Sequence, residues 1–216
     1  MRRWVALVLA AAFWAAAPAL AAAPKADFSG AFLGLQTQYG FGAQGDWCGC
    51  TFAPPVTDSA GGEGGTLAGL QAGYDWRFGS FVVEAGVRVS YADLGFDRVC
   101  AAAARCEGAL DWLAEAQLSA GFVIFGDMLL VATAGLAAGD VEAVAGGALK
   151  TTATHDGHVF AARAEQAMSH GWRMGVEYRY YEMEGTNRLD TPTSPAADVA
   201  IAWSAHVVGV TIANEF

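Results

Sequence analysis

The chain has 216 residues, 54% of them hydrophobic and only 16% charged, with 27 Gly and a formal net charge of −10 from 12 Lys+Arg against 22 Asp+Glu. So much apolar surface excludes intrinsic disorder, and the acidic balance excludes binding to a nucleic-acid polyanion. A soluble domain usually carries about 25% charge, so the composition points toward a membrane.

The first segment reads as an export signal. Arg2 and Arg3 precede an apolar Ala-rich run from Trp4 to Ala17, and Ala19-Leu20-Ala21 supplies the small residues of a cleavage site. This is the three-part pattern of a secretory signal peptide, assigned to residues 1–21, with 22–216 forming the barrel domain. No later segment has the ~20 consecutive apolar residues of a transmembrane helix. The best candidate, Met128 to Ala138, is interrupted by Thr133 and Gly135 and stops at Asp140. A membrane reading therefore requires strands, and lipid requires those strands to close into a barrel.

Taken in chain order, eight segments alternate with period two. Phe28 to Phe41 sets Leu33, Leu35, Tyr39 and Phe41 against Gln36 and Gln38; Thr66 to Trp76 sets Leu70, Tyr74 and Trp76 against Gln71 and Asp75. Phe81 to Ala92 is the cleanest, with Val83, Val87, Val89 and Tyr91 opposed to Glu84, Arg88 and Ser90. In the fourth segment helix competes, because Ala101 to Ala120 is rich in Ala, Leu, Glu and Gln. Alternation still favours a strand, with Leu110, Trp112, Ala114 and Leu118 opposed to Asp111, Glu115 and Gln117, and Leu113 as the exception. Met128 to Gly139, His158 to Met168, Trp172 to Glu182 and the less regular Ala200 to Phe216 complete the set.

Short gaps at Arg77 to Ser80, Val123 to Asp127 and Ser169 to Gly171 alternate with long ones at Gly42 to Gly65, Asp93 to Glu107, Asp140 to Gly157 and Met183 to Val199. The expectation is an all-β, eight-stranded antiparallel up-and-down transmembrane β-barrel of the cell outer membrane, monomeric, with both termini in the periplasm. Asp75, Glu84, Arg88, Asp111, Glu115, Arg163, Glu165, Arg173, Glu177 and Arg179 all fall on the polar face, and Glu182 alone breaks parity. Arg or Lys facing lipid near the midplane costs roughly 2–4 kcal/mol, so these ten charges are assigned to a lumen network. An eight-stranded interior is just wide enough to be filled by side chains, so that network is expected to plug the barrel. Aromatic residues gather toward the segment ends, where interfacial girdles belong: Trp76, Phe81, Phe122, Trp172 and Phe216 on the periplasmic side and Tyr39, Phe41, Tyr91, Trp112, Phe160 and Tyr180 on the outer side.

The terminal Phe216, with Ile212, Val210 and Val208 at alternate positions before it, resembles the C-terminal signal read by the barrel-assembly machinery. Gly69-Leu70-Gln71-Ala72-Gly73-Tyr74-Asp75-Trp76, Ala132-Thr133-Ala134-Gly135-Leu136-Ala137 and Val176-Glu177-Tyr178-Arg179-Tyr180 resemble the small surface-antigen, opacity-type barrels of Gram-negative bacteria. The resemblance implies a structural envelope component and surface antigen whose partners are outer-membrane lipids and the assembly machinery. It names no extracellular ligand. Asn214, where such barrels often have an aromatic, and the cysteine-bearing loops depart from the pattern.

Candidate chemistry is sparse. Cys48, Cys50, Cys100 and Cys106 in an exported chain imply disulfides, with three pairings open and a Cys-x-Cys metal site as the rival. His155-Asp156-Gly157-His158 carries side chains that can ligate a metal, yet no further ligand is indicated, so no metal and no cofactor are assigned. Ser204 and His206 share a face and supply the enzymatic alternative, an outer-leaflet lipid hydrolase or acyltransferase, because Ser needs an adjacent base to become nucleophilic. No acid is placed to orient that His, and no catalytic residues are assigned. The transport alternative is a narrow porin-like channel.

Overall fold

The computed structural model describes residues 27–48, 64–99, 105–145, 149–191 and 194–216. Period-two alternation resolves there into β1 (Gly30–Cys48), β2 (Gly65–Phe78), β3 (Phe81–Val99), β4 (Arg105–Ile124), β5 (Met128–Ala145), β6 (Leu149–Ala167), β7 (Trp172–Thr191) and β8 (Ser194–Glu215). Each strand pairs antiparallel with its sequence neighbour, and β8 returns to β1 to close the barrel. Closure leaves no edge strand unpaired along the membrane-crossing part, which is the condition lipid imposes. The segment in which helix competed is strand β4, held by pairs such as Arg88 with Glu115 on one side and Ala116 with Leu136 on the other.

The three short connections occupy residues 79–80, 125–127 and 168–171, where sequence places them. The tightest needs Gly79, whose φ of +70° lies in the left-handed region and whose side-chain direction is open. Asp27 and Phe216 lie at this same turn end: Arg77 donates to the Asp27 carbonyl at 2.9 Å, and the Phe216 amide donates to the Ala31 carbonyl at 3.0 Å.

The opposite, outer end departs from expectation. Of the segments read as long loops, Asp93 to Glu107, Asp140 to Gly157 and Met183 to Val199 are mostly strand: β3 runs on to Val99, β5 to Ala145 and β7 to Thr191, and their partners start at Arg105, Leu149 and Ser194. The first, Gly42 to Gly65, is strand as far as Cys48, and residues 49–63 lie outside the described part. The physical reason is that alternation reports a difference between the two faces, which lipid enforces only at membrane depth. Above the belt both backbone ladders continue, but the outward side chains meet water, and the sequence signal fades while the hydrogen bonding persists.

The outward face carries the apolar belt. Leu35, Leu70, Val89, Leu118 and Leu136 are all exposed, Leu118 by 65%. Tyr39, Phe41, Tyr91, Trp112 and Phe160 are exposed toward the outer side, and Trp76, Phe78, Phe122, Phe125, Trp172 and Phe216 toward the turn end. Such paired girdles mark the two interfaces of a membrane-spanning barrel.

Candidate functional site: a layered, charge-filled lumen

Away from the bulges, alternate side chains of the described strand segments point inward, and the lumen they fill is layered. At the turn end Phe28, Val82, Leu129 and Val131 form a buried apolar cluster. Toward the outer end a larger one contains Leu94, Leu110, Leu113, Met183, Ile201, Trp203 and Val207. Between them lie the buried charges Asp75, Glu84, Arg88, Glu115, Arg163, Glu165, Arg173, Glu177 and Arg179.

The charges form two groups. In the outer group Arg88 meets Glu177 through two parallel bonds of 2.7 and 2.9 Å, the fork-to-carboxylate geometry that makes such pairs strong. Gln36 accepts from the same guanidinium at 2.5 Å, and Gln38 donates to Glu177. Arg179 donates to Glu115, to Gln117 at 2.9 Å and to the Tyr181 hydroxyl at 3.0 Å, and that hydroxyl donates in turn to Glu115 at 3.0 Å. In the group nearer the turns, Arg163 donates to Glu84 and lies 3.3 Å from Glu165, while Arg173 donates to Asp75 and reaches Glu84 and Glu165 at 3.7 Å. Arg173 also stacks on Phe32, 4.0 Å from its ring centre. Gly73 makes room for that ring, since a Cβ there would stand 2.6 Å from it. Gln117 links the groups, bonding Arg179 at one end and Glu84 at 3.4 Å at the other.

Of the ten residues assigned to the lumen, the structure brings nine together inside. Asp111 is the correction: it is exposed on the outer face. Register shifts between Tyr91 and Leu94 and between Leu110 and Trp112 mark a bulge, which sends Asp111 outward beside Trp112 and turns Leu110 to the inside. The parity exception Leu113 keeps the inward parity of Glu115 and belongs to the outer apolar layer. Sequence reasoning missed the neutral members Gln36, Gln38, Gln117 and Tyr181 as network partners, although all lie on the faces opposite the apolar belt. It also missed the two apolar layers; Met183 and Trp203, apolar residues at inward parity, were the signal for the outer one.

The other candidates are scattered. His155 is buried in the lumen, its Nε2 2.7 Å from the side-chain Oδ1 of Asn187, whereas His158 is exposed on the outside, so the two imidazoles point to opposite faces. Among the described residues no three His, Cys, Asp or Glu side chains gather to hold a metal. Ser204 and His206 both face outward. His206 Nδ1 is 2.6 Å from the Tyr178 hydroxyl, and the ring packs between Phe41 and Tyr180 with centroids 5.8 and 5.1 Å away. That imidazole is part of the outer aromatic girdle. Cys48 ends β1 and Cys106 lies at the start of β4, while Cys50, Cys100 and residues 1–26 lie outside the described residues.

Comparison with known proteins gives concordant likenesses. Residues 6–204 match the outer membrane protein beta-barrel domain family. The 31 kDa outer-membrane immunogenic proteins of Brucella melitensis and Brucella suis are each 25% identical over 142 residues, spanning 61% of this chain and 59% of theirs. Among solved structures, outer membrane protein OprG from Pseudomonas aeruginosa matches with a TM-score of 0.54 at 10% identity, over 88% of this chain and 99% of that one. Neisserial surface protein A matches with a TM-score of 0.47 at 14% identity, over 87% and 99%.

Proposed function

From the premise that this chain belongs to the outer membrane protein beta-barrel family, we propose that it is a non-catalytic, solute-impermeable structural barrel that displays its outer hairpins as a surface antigen. The chain is a protein of the outer membrane; its role there is the proposal. The observation that carries it is the layering of the lumen: nine buried charges lie between two apolar layers. An ion crossing such an interior must shed water at each apolar layer, the dewetting barrier that hydrophobic constrictions impose. It must also displace guanidinium and carboxylate groups already bonded to one another. Catalysis has less support, because the imidazole of the Ser204 and His206 pair is engaged by Tyr178 and set in the aromatic girdle.

Antigen display is supported by the strands that continue past the belt and by the immunogenic relatives, whose match spans 59% of their length. In this reading the barrel works as a monomer held by outer-membrane lipids, Phe216 presents its assembly signal, and residues 1–21 are its export signal. Recording in planar bilayers tests the closed lumen. The expected outcome is a baseline without discrete steps; large, reproducible single-channel steps from the purified wild-type protein would overturn it.

A further inference from the structure

A groove of about 790 Å³ runs along the outer wall across β4 to β8, just above the outer aromatic girdle. Its position follows from register. Phe160, Tyr180 and His206 stand side by side as one girdle row, and the next outward-facing row above them is Leu136, His158, Glu182 and Ser204. The row above that is Ala138, Asp156, Glu184 and Ala202. Ala114, Ala116, Ala138 and Ala202 give the groove a low apolar floor, continuous at its foot with Leu136 and Tyr180.

The rim has one sign. The outward-facing Asp156, Glu182 and Glu184 line it, and among the described residues no Lys or Arg does. Asp156 and Glu184 are direct cross-strand partners, an arrangement in which like charges repel. A positive group seated between them removes that repulsion, whereas a phosphate or sulfate increases it. The floor and foot accept a hydrocarbon chain directly beside the acidic rim, since Leu136 shares a row with Glu182 and Ala138 shares one with Asp156 and Glu184, just above the girdle.

We propose that this groove binds a single-chain amphiphile with a cationic amine head, the alkyl chain lying over the alanine floor toward Leu136 and the ammonium between Asp156, Glu182 and Glu184. The site is on the wall and does not depend on whether the lumen conducts.

The test uses the full barrel in dodecyl maltoside micelles, with the imidazole resonances of His158 observed during titration by dodecylamine or dodecyl sulfate, which share a tail and differ in head charge. Dodecylamine is expected to shift His158 saturably, and dodecyl sulfate to leave it in place. Glu182→Gln with Glu184→Gln is expected to weaken the amine roughly tenfold, the scale of two exposed charge pairs. Asp93→Asn with Glu107→Gln, which removes the same charge elsewhere on the exposed wall, is expected to leave binding unchanged. Equal response to both heads, no response to either, an equal shift from the tail-less polyamine spermidine, or equal weakening in the two double variants would each overturn the proposal. Heat-dependent gel migration of each variant verifies that the barrel has formed.

Discussion

The two buried charge groups differ in how completely they are satisfied. The outer one is balanced, Arg88 and Arg179 against Glu115 and Glu177, and nearly every polar atom is bonded; Arg88 Nε is its one charged-group atom without a hydrogen-bond partner among the described residues. The group nearer the turns sets Arg163 and Arg173 against Asp75, Glu84 and Glu165, one more acid than base. In it Asp75 Oδ1, both Glu165 oxygens, Arg163 Nε and Arg173 Nε and Nη2 lack hydrogen-bond partners, although ion pairs of 3.3 to 3.7 Å surround them. Buried ion pairs stabilise only when good geometry and further hydrogen bonds offset desolvation. By that criterion the outer group is a structural lock, and the inner group is held largely by its surroundings.

The largest effect should come from breaking the lock on one side. Arg179→Met leaves Glu115 and Glu177 with one guanidinium between them, in a lumen closed by apolar layers. Removing one partner of a buried pair costs about 3–5 kcal/mol, and the Tyr181 and Gln117 bonds to Arg179 go with it. The expected readout is a large drop in the urea midpoint of the barrel in lipid vesicles. A midpoint within error of wild type would show that the outer group is not a lock.

Asp75→Asn probes the other side of the contrast. It removes one carboxylate from a group that has one in excess, and it retains an oxygen to accept from Arg173. Its cost should therefore be well below that of Glu177→Gln, which unbalances the satisfied group and breaks a bidentate bond to Arg88. Measured by the same unfolding midpoint, an Asp75→Asn defect as large as that of Glu177→Gln would remove the distinction between the groups.

How much of this was legible in the sequence depended on depth. At membrane depth each outward position needs an apolar side chain and each inward position can be polar, so Glu84 and Arg88, or Glu177 and Arg179, declare their face by parity. The pairing among them was not legible, because partners such as Arg88 and Glu177 lie on strands that are not neighbours in the barrel and meet only across its lumen. Beyond the belt the constraint relaxes in both directions. Met183 and Trp203 point inward although apolar, and Glu182 points outward although charged. A parity rule calibrated on lipid reads such residues as loop or as error, when they build the outer apolar layer and the rim above the girdle.

Asp111 is the sharpest case and supplies the smallest expected effect. Strict alternation from Glu115 carries inward parity through Leu113 to Asp111, and only the bulge breaks it. If the register is as described, Asp111→Asn changes one exposed charge, and surface substitutions of that kind usually stay within about 0.5 kcal/mol. If strand β4 ran without the bulge, Asp111 would sit in the outer apolar layer of the lumen, on the same face as Leu113, where an unpaired carboxylate is costly. Replacing it would then raise stability by well over that amount. The same unfolding assay therefore reads the register of β4: an unchanged midpoint supports the bulge, and a marked gain would return Asp111 to the interior and place Leu110 on the wall.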